Sequence, residues 1–113
     1  MRTHQRLDLD EPLEFESLIL DPAGEHLGRT AVCKNLSLTG LYFETVPSLE
    51  IQAQFKVGNI IWTRFKIPGS EEQLKIQCEI RRVLNVSRKI VGFGAMFINL
   101  SPKAERLIVN FVK

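Results

Sequence analysis

The chain is poor in the residues from which most catalytic and metal centres are built. It has two histidines, two cysteines and one tryptophan among 113 residues. His4 and His26 have no partner at metal-ligand spacing, and Cys33 and Cys78 form no Cys-x-x-Cys pair. No Gly-x-Ser-x-Gly elbow and no glycine-rich phosphate loop occurs. Ser37 lies in a turn, but neither histidine is placed to activate it. These absences weigh against an enzyme, a metal site and a bound cofactor. An excess of one charge is missing too. Fifteen Lys and Arg stand against thirteen Asp and Glu, for a net charge of +2. That is too balanced for a general DNA or RNA binder, and no run interleaves aromatics with basic residues as single-strand binders do. No apolar run is long enough for a signal peptide or a membrane span, so the expected compartment is the cytoplasm.

What is present is the composition of one folded domain. Hydrophobic residues make up 44% and charged residues 25%, and a chain of this length buries roughly 60–70% of its unfolded surface. Residues 1–12 are polar and mixed in charge, with Pro12 barring a helix, and read as an extended or mobile arm. From Leu13 the period is two. Leu13 to Leu20 begins with alternation, and Asp21-Pro22-Ala23-Gly24 is a turn. Strands are expected over Arg29–Lys34 and Leu41–Thr45, with a turn at Asn35–Gly40 between them. Ile51, Ala53, Phe55 and Val57 alternate, and so do Ile61, Thr63, Phe65 and Ile67. The clearest alternation is Leu74, Ile76, Cys78 and Ile80, and a last strand covers Ile90–Ile98. Cys33 and Cys78 fall inside apolar runs and read as buried free thiols, and Trp62 as a packing residue. The period then changes. Ser101-Pro102 is a helix start, and Ala104, Leu107, Ile108 and Phe111 follow at helical spacing. Many short strands with frequent turn signals, plus one helix, describe a barrel or sandwich.

Two short motifs carry chemistry. Arg2 and Arg6 form Arg-x-x-x-Arg, and a guanidinium fork matches both a phosphate and the Hoogsteen edge of guanine. Asn35-Leu36-Ser37-Leu38-Thr39-Gly40 sets an amide and a hydroxyl two residues apart, where strand geometry points them to one face. Both groups hydrogen-bond a base edge or cap backbone, and Gly40 allows positive φ or a close ligand approach. Taken singly, Arg-x-x-x-Arg is common by chance, whereas Asn/Asp-x-Ser-x-x-Gly is moderately specific. Arg29 and Lys34 lie near the second motif, but a solvated strand face accounts for both.

The order of these features resembles the PilZ domain family, bacterial receptors for cyclic di-GMP. The shared pattern is Arg-x-x-x-Arg, a strand, then Asn/Asp-x-Ser-x-x-Gly between two strands. Val91-Gly92-Phe93-Gly94-Ala95-Met96-Phe97 is similar to the family's glycine-punctuated last strand before a helix. The resemblance implies a mainly β fold, a six-stranded antiparallel β-barrel with a C-terminal α-helix. Residues 1–12 would form a flexible arm carrying the arginines, and 13–113 the barrel. It further implies that Arg2 and Arg6 contact the phosphates and bases of cyclic di-GMP. Asn35 and Ser37 would hydrogen-bond a guanine, and Gly40 would supply the motif's glycine. Asn replaces the commoner Asp at 35, and an amide offers guanine no charge-assisted acceptor. The function implied is a cyclic di-GMP receptor, without catalysis, whose ligand-ordered arm changes a surface read by a partner protein. The alternative is a PilZ-like adaptor that binds protein and no nucleotide.

Overall fold

Apolar alternation makes the sheet. In Gln73–Asn85, Leu74, Ile76, Cys78 and Ile80 are buried while the residues between them are exposed or half-buried, the pattern of a strand with one face on a core. The computed structural model describes residues 6–13, 19–22, 28–67 and 69–112. Within them the strands are β1 (Arg6–Leu13), β2 (Ile19–Pro22), β3 (Arg29–Thr30), β4 (Val32–Ser37), β5 (Gly40–Thr45), β6 (Ile60–Lys66), β7 (Gln73–Asn85) and β8 (Val91–Ile98). The helices are α1 (Leu49–Gln54) and α2 (Pro102–Val112). All strand pairs are antiparallel, in the order β1-β4-β5-β8-β7-β6-β2-β3.

That order has a geometric consequence. β3 ends the sheet on one side, yet β4, second from the other side, follows it after Ala31 alone. The sheet must curl to bring those strands together, as in a barrel. Thr45 Oγ1 on β5 donates to the carbonyl of Thr30 on β3 at 2.8 Å across the same junction. The result is a curled, half-barrel sheet whose core is centred on Phe43, Phe55 and Phe93. Ring centroids lie 5.5 Å apart for Phe43–Phe93 and 5.4 Å for Phe55–Phe93. Helix α2 begins as expected. Ser101 Oγ accepts from the Ala104 N–H at 3.1 Å, and Ala104 and Ile108 are buried while Leu107 and Phe111 pack on the core from its edge.

Four expectations are corrected. The six strands become eight segments, or seven if the two-residue β3 is set aside. The segment read as an arm contains a strand, since Arg6–Leu13 is β1 and pairs with β4; Leu7 and Leu9 alternate with Asp8 and Asp10, but the charges and Pro12 mask that signal. Asp21-Pro22 closes β2 where a turn was expected. The alternating stretch from Ile51 is helical. Ser48 caps α1 by accepting from the Ile51 N–H at 3.1 Å. Ile51 and Phe55 are buried four residues apart, whereas Ala53 and Val57 are exposed. An i, i+2, i+4 pattern contains the i, i+4 pair of a helix face, so period two was ambiguous there. Cys33 and Cys78 are buried free thiols as expected. Trp62 is half-buried with Lys75 Nζ 4.9 Å from its ring centroid, a cation–π contact on the sheet's outer side.

Candidate functional site

The Asn35–Gly40 segment is the end of β4, a tight turn and the start of β5. Leu36 pairs with Leu41, leaving Ser37-Leu38-Thr39-Gly40 to reverse the chain. No residue of the turn has positive φ, so the primed hairpin turns are excluded. The Ser37 side chain shapes the reversal instead. Its Oγ accepts from the Thr39 N–H at 3.2 Å and the Gly40 N–H at 3.3 Å, and lies 3.0 Å from Thr39 Oγ1. Ser37 is buried, and these donors meet the requirement that a buried hydroxyl be satisfied. The Phe97 N–H donates to the Thr39 carbonyl at 2.8 Å, which ties the turn to β8.

Gly40 serves a purpose other than the one expected. Its φ is not left-handed. A Cβ at Gly40 would lie 2.0 Å from the Ala95 carbonyl oxygen, so the residue must be glycine for β8 to run so close. Just before the motif, Cys33 pairs with Phe43 and Asn35 with Tyr42, two steps on β4 against one on β5. This bulge at Lys34–Asn35 resets the alternation. Cys33 and Leu36 both reach the core although they are three residues apart. Asn35 and Ser37 therefore flank a buried leucine on the opposite face of β4, as the spacing predicted.

The first motif reaches this strand through β1. Arg6 stands opposite Ser37 in register, Leu7 opposite Leu36 and Asp8 opposite Asn35. Antiparallel partners place their Cβ atoms about 4.5–5.5 Å apart, so two motifs thirty residues apart in sequence become adjacent. Arg2 lies outside the described residues. Arg29 and Lys34 are engaged elsewhere. Arg29 pairs with Glu50 at 3.1 Å and Lys34 with Glu44 at 3.7 Å, in keeping with the solvated-face reading.

Sequence reasoning missed the surroundings of Asn35. Its partner Tyr42 donates to Glu44 Oε2 at 2.9 Å, and the Arg82 guanidinium carbon lies 5.9 Å from the tyrosine ring centroid. The phenol is pushed up to about 12, by burial first and then by hydrogen bonding to and repulsion from Glu44, against the pull of Arg82. Tyr42 thus stays a neutral donor. Gly92 makes room for it, since a Cβ there would lie 2.0 Å from the Tyr42 hydroxyl. The only available signal was the Gly92-x-Gly94 spacing in β8 with a lone tyrosine upstream. Asp21 was missed as well. It is buried, bonded to Arg64 Nε at 3.0 Å and accepts from the Gly28 N–H at 2.8 Å. Among the described residues, no group of three or more His, Cys, Asp or Glu is placed to hold a metal ion, and no helix is long and apolar enough to cross a membrane.

Comparison with known proteins agrees with this geometry. The family model for the PilZ domain matches residues 2–113. Among solved structures, the chain is similar to the Bacillus subtilis inhibitor of motility MotI/DgrA, at 16% identity and a TM-score of 0.72, over 99% of this chain and 49% of that one. It is also similar to the PilZ domain of YcgR from Escherichia coli, solved with c-di-GMP, at 14% identity and a TM-score of 0.66, over 98% of this chain and 88% of that one. The chain spans about half the length of MotI/DgrA. At these identities the likeness is one of fold. No curated protein matches the sequence.

Proposed function

The chain belongs to the PilZ domain family, and from that premise we propose that it is a cyclic di-GMP receptor acting through a partner protein. PilZ domains are receptor and adaptor domains, and the proposal needs no catalysis. What carries it is the register that sets Arg6 opposite Ser37 and Asp8 opposite Asn35. The guanidinium forks of Arg6 and Arg2 take the ligand's phosphates and a guanine Hoogsteen edge. Asn35 offers an amide that both donates and accepts. Ser37 accepts twice within its turn and its hydroxyl reaches the Gly40 carbonyl at 3.4 Å, so donating to a base acceptor means giving up that contact. The rest of residues 1–12 closes over the turn at the Arg2 end. Ordering that end costs free energy that the new contacts must exceed.

Calorimetric titration with cyclic di-GMP tests the proposal. Wild type should bind, and Arg6→Ala, Asn35→Ala and Ser37→Ala should each weaken binding at least tenfold while keeping the wild-type circular dichroism. Equal affinities for wild type and Arg6→Ala would remove Arg6 from the site. No heat with wild type would reject the receptor reading in favour of an adaptor that binds protein alone.

A further inference from the structure

At the end of the sheet away from Gly40, α1 and the β7–β8 hairpin enclose a groove of about 260 Å³. Ile51, Phe55 and Phe93 lie at its floor, and Val57, Val83 and Val91 along its walls. The volume is below the ~300 Å³ at which small-molecule pockets begin, and a cyclic dinucleotide has no anion partner on such a floor. The apolar surface continues onto both walls. Leu49 is 84% exposed, Val46 70% and Val57 63%, and Val86 and Ile90 are exposed on the hairpin turn. Among the described residues, Met96 is the one exposed large hydrophobic that lies off these two segments. Scattered apolar residues need no explanation, but a contiguous patch around a recess marks an interaction surface.

The rim has one sign of charge. Lys56 lines the groove and no carboxylate does. Arg88 and Lys89 follow on the hairpin turn, and no Asp or Glu occurs between Glu79 and Glu105. Glu50 on α1 is held by Arg29 at 3.1 Å. Lys56, Arg88 and Lys89 form no ion pair among the described residues.

We infer that this groove docks an acidic amphipathic helix of a partner protein. Apolar side chains from one helix face enter the recess, and carboxylates on its flanks meet Lys56, Arg88 and Lys89. A recessed floor suits inserted side chains better than a flat lipid surface does. The groove is separate from the nucleotide motifs. β5 and β8 pair from Gly40↔Met96 at the motif end to Thr45↔Val91 beside the groove, five residue steps or about 17 Å. Both sites can be filled at once. The inference deepens the proposed function by naming its output face, and rests on it only for the premise that the receptor acts through a protein.

The test uses the full chain, ¹⁵N-labelled, without nucleotide. Three probes are titrated: an 18-residue helix with leucines on one face and glutamates on the other, the same peptide with lysines for the glutamates, and phosphatidylglycerol–phosphatidylcholine vesicles. The expected result is saturable binding of the glutamate peptide alone, with shifts confined to residues 46–57 and 83–91. Val83→Asp and the double variant Arg88→Glu/Lys89→Glu, all at exposed positions, should each weaken it at least tenfold without lowering the melting temperature. Equal binding of the two peptides, shifts outside the groove, binding of vesicles in place of peptide, or no peptide binding would each overturn the inference. Arg6→Ala should leave peptide binding unchanged. Failure here alongside intact cyclic di-GMP binding refutes the groove alone, and the converse refutes the nucleotide reading alone.

Discussion

Replacing Gly40 by alanine separates two reasons for a glycine in a ligand motif. At a negative φ, Gly→Ala normally stabilises by about 0.4–1 kcal/mol, because it reduces the entropy of the unfolded chain. Here the new methyl would lie 2.0 Å from the Ala95 carbonyl oxygen and 3.1 Å from the Met96 Cα. Both obstacles are backbone in a paired strand, so β5 and β8 must part, at an overpacking cost of about 1–3 kcal/mol. The net expectation is a loss of about 1–2 kcal/mol, a fall in melting temperature of roughly 4–8 °C for a domain of this size. Gly92→Ala is the control. Its Cβ also arrives at 2.0 Å from an atom, but that atom is the Tyr42 hydroxyl. The tyrosine can swing aside, giving up its bond to Glu44 for about 1 kcal/mol, and in a Tyr42→Ala background the substitution should cost nothing. No side-chain truncation should rescue Gly40→Ala. Urea unfolding followed by far-UV circular dichroism measures all four. If Gly40→Ala is as stable as wild type or more so, the close approach of β8 is not what requires the glycine.

Two further outcomes follow from buried groups. Asp21 is 2% exposed and bonded to Arg64 and to the Gly28 N–H, so Asp21→Ala should cost about 3 kcal/mol by urea unfolding. Adding Arg64→Ala should cost less than the sum of the two single changes, and strict additivity would mean that the pair is not coupled. Burial pushes the Cys33 and Cys78 thiols from 9.0 up to about 12. The folded state then holds protons that the unfolded state releases, so their contribution is full below pH 9 and is lost as pH rises from about 9 towards 12. The urea midpoint should fall between pH 8 and pH 10.5, and fall less in a Cys33→Ala variant compared with itself at pH 8. A thiol reagent at pH 8 should label neither cysteine faster than the chain unfolds.

Much of the fold was legible because burial writes a period into the strands. Leu74 to Ile80 alternate and bury as read, and Ser101 with Ala104 and Ile108 marks the helix by cap and spacing. The failures share one cause: a local pattern compatible with two structures. Ile51 and Phe55 satisfy both a strand face and a helix face, and what selects the helix is the Ser48 cap and room above Phe93. In β1 the alternation of Leu7 and Leu9 is real, but short and acidic. Only pairing with β4 makes it a strand.

The site divides differently. Asn35, Ser37 and Gly40 were legible as a unit because they lie within one hairpin, but the reason for Gly40 was not, since Ala95 comes from β8, fifty-five residues further on in the sequence. The proximity of Arg6 to Ser37 had the same origin. Nothing local to either residue sets a register; the pairing of β1 with β4 does, and a slip of one residue would set Arg6 opposite a different residue. The pairing of Leu7 with Leu36 in register thus brings Arg6 opposite Ser37. A candidate site assembled this way depends on strand pairing as much as on the polar residues it presents. Leu36, buried between Asn35 and Ser37, belongs to the candidate site as much as to the core.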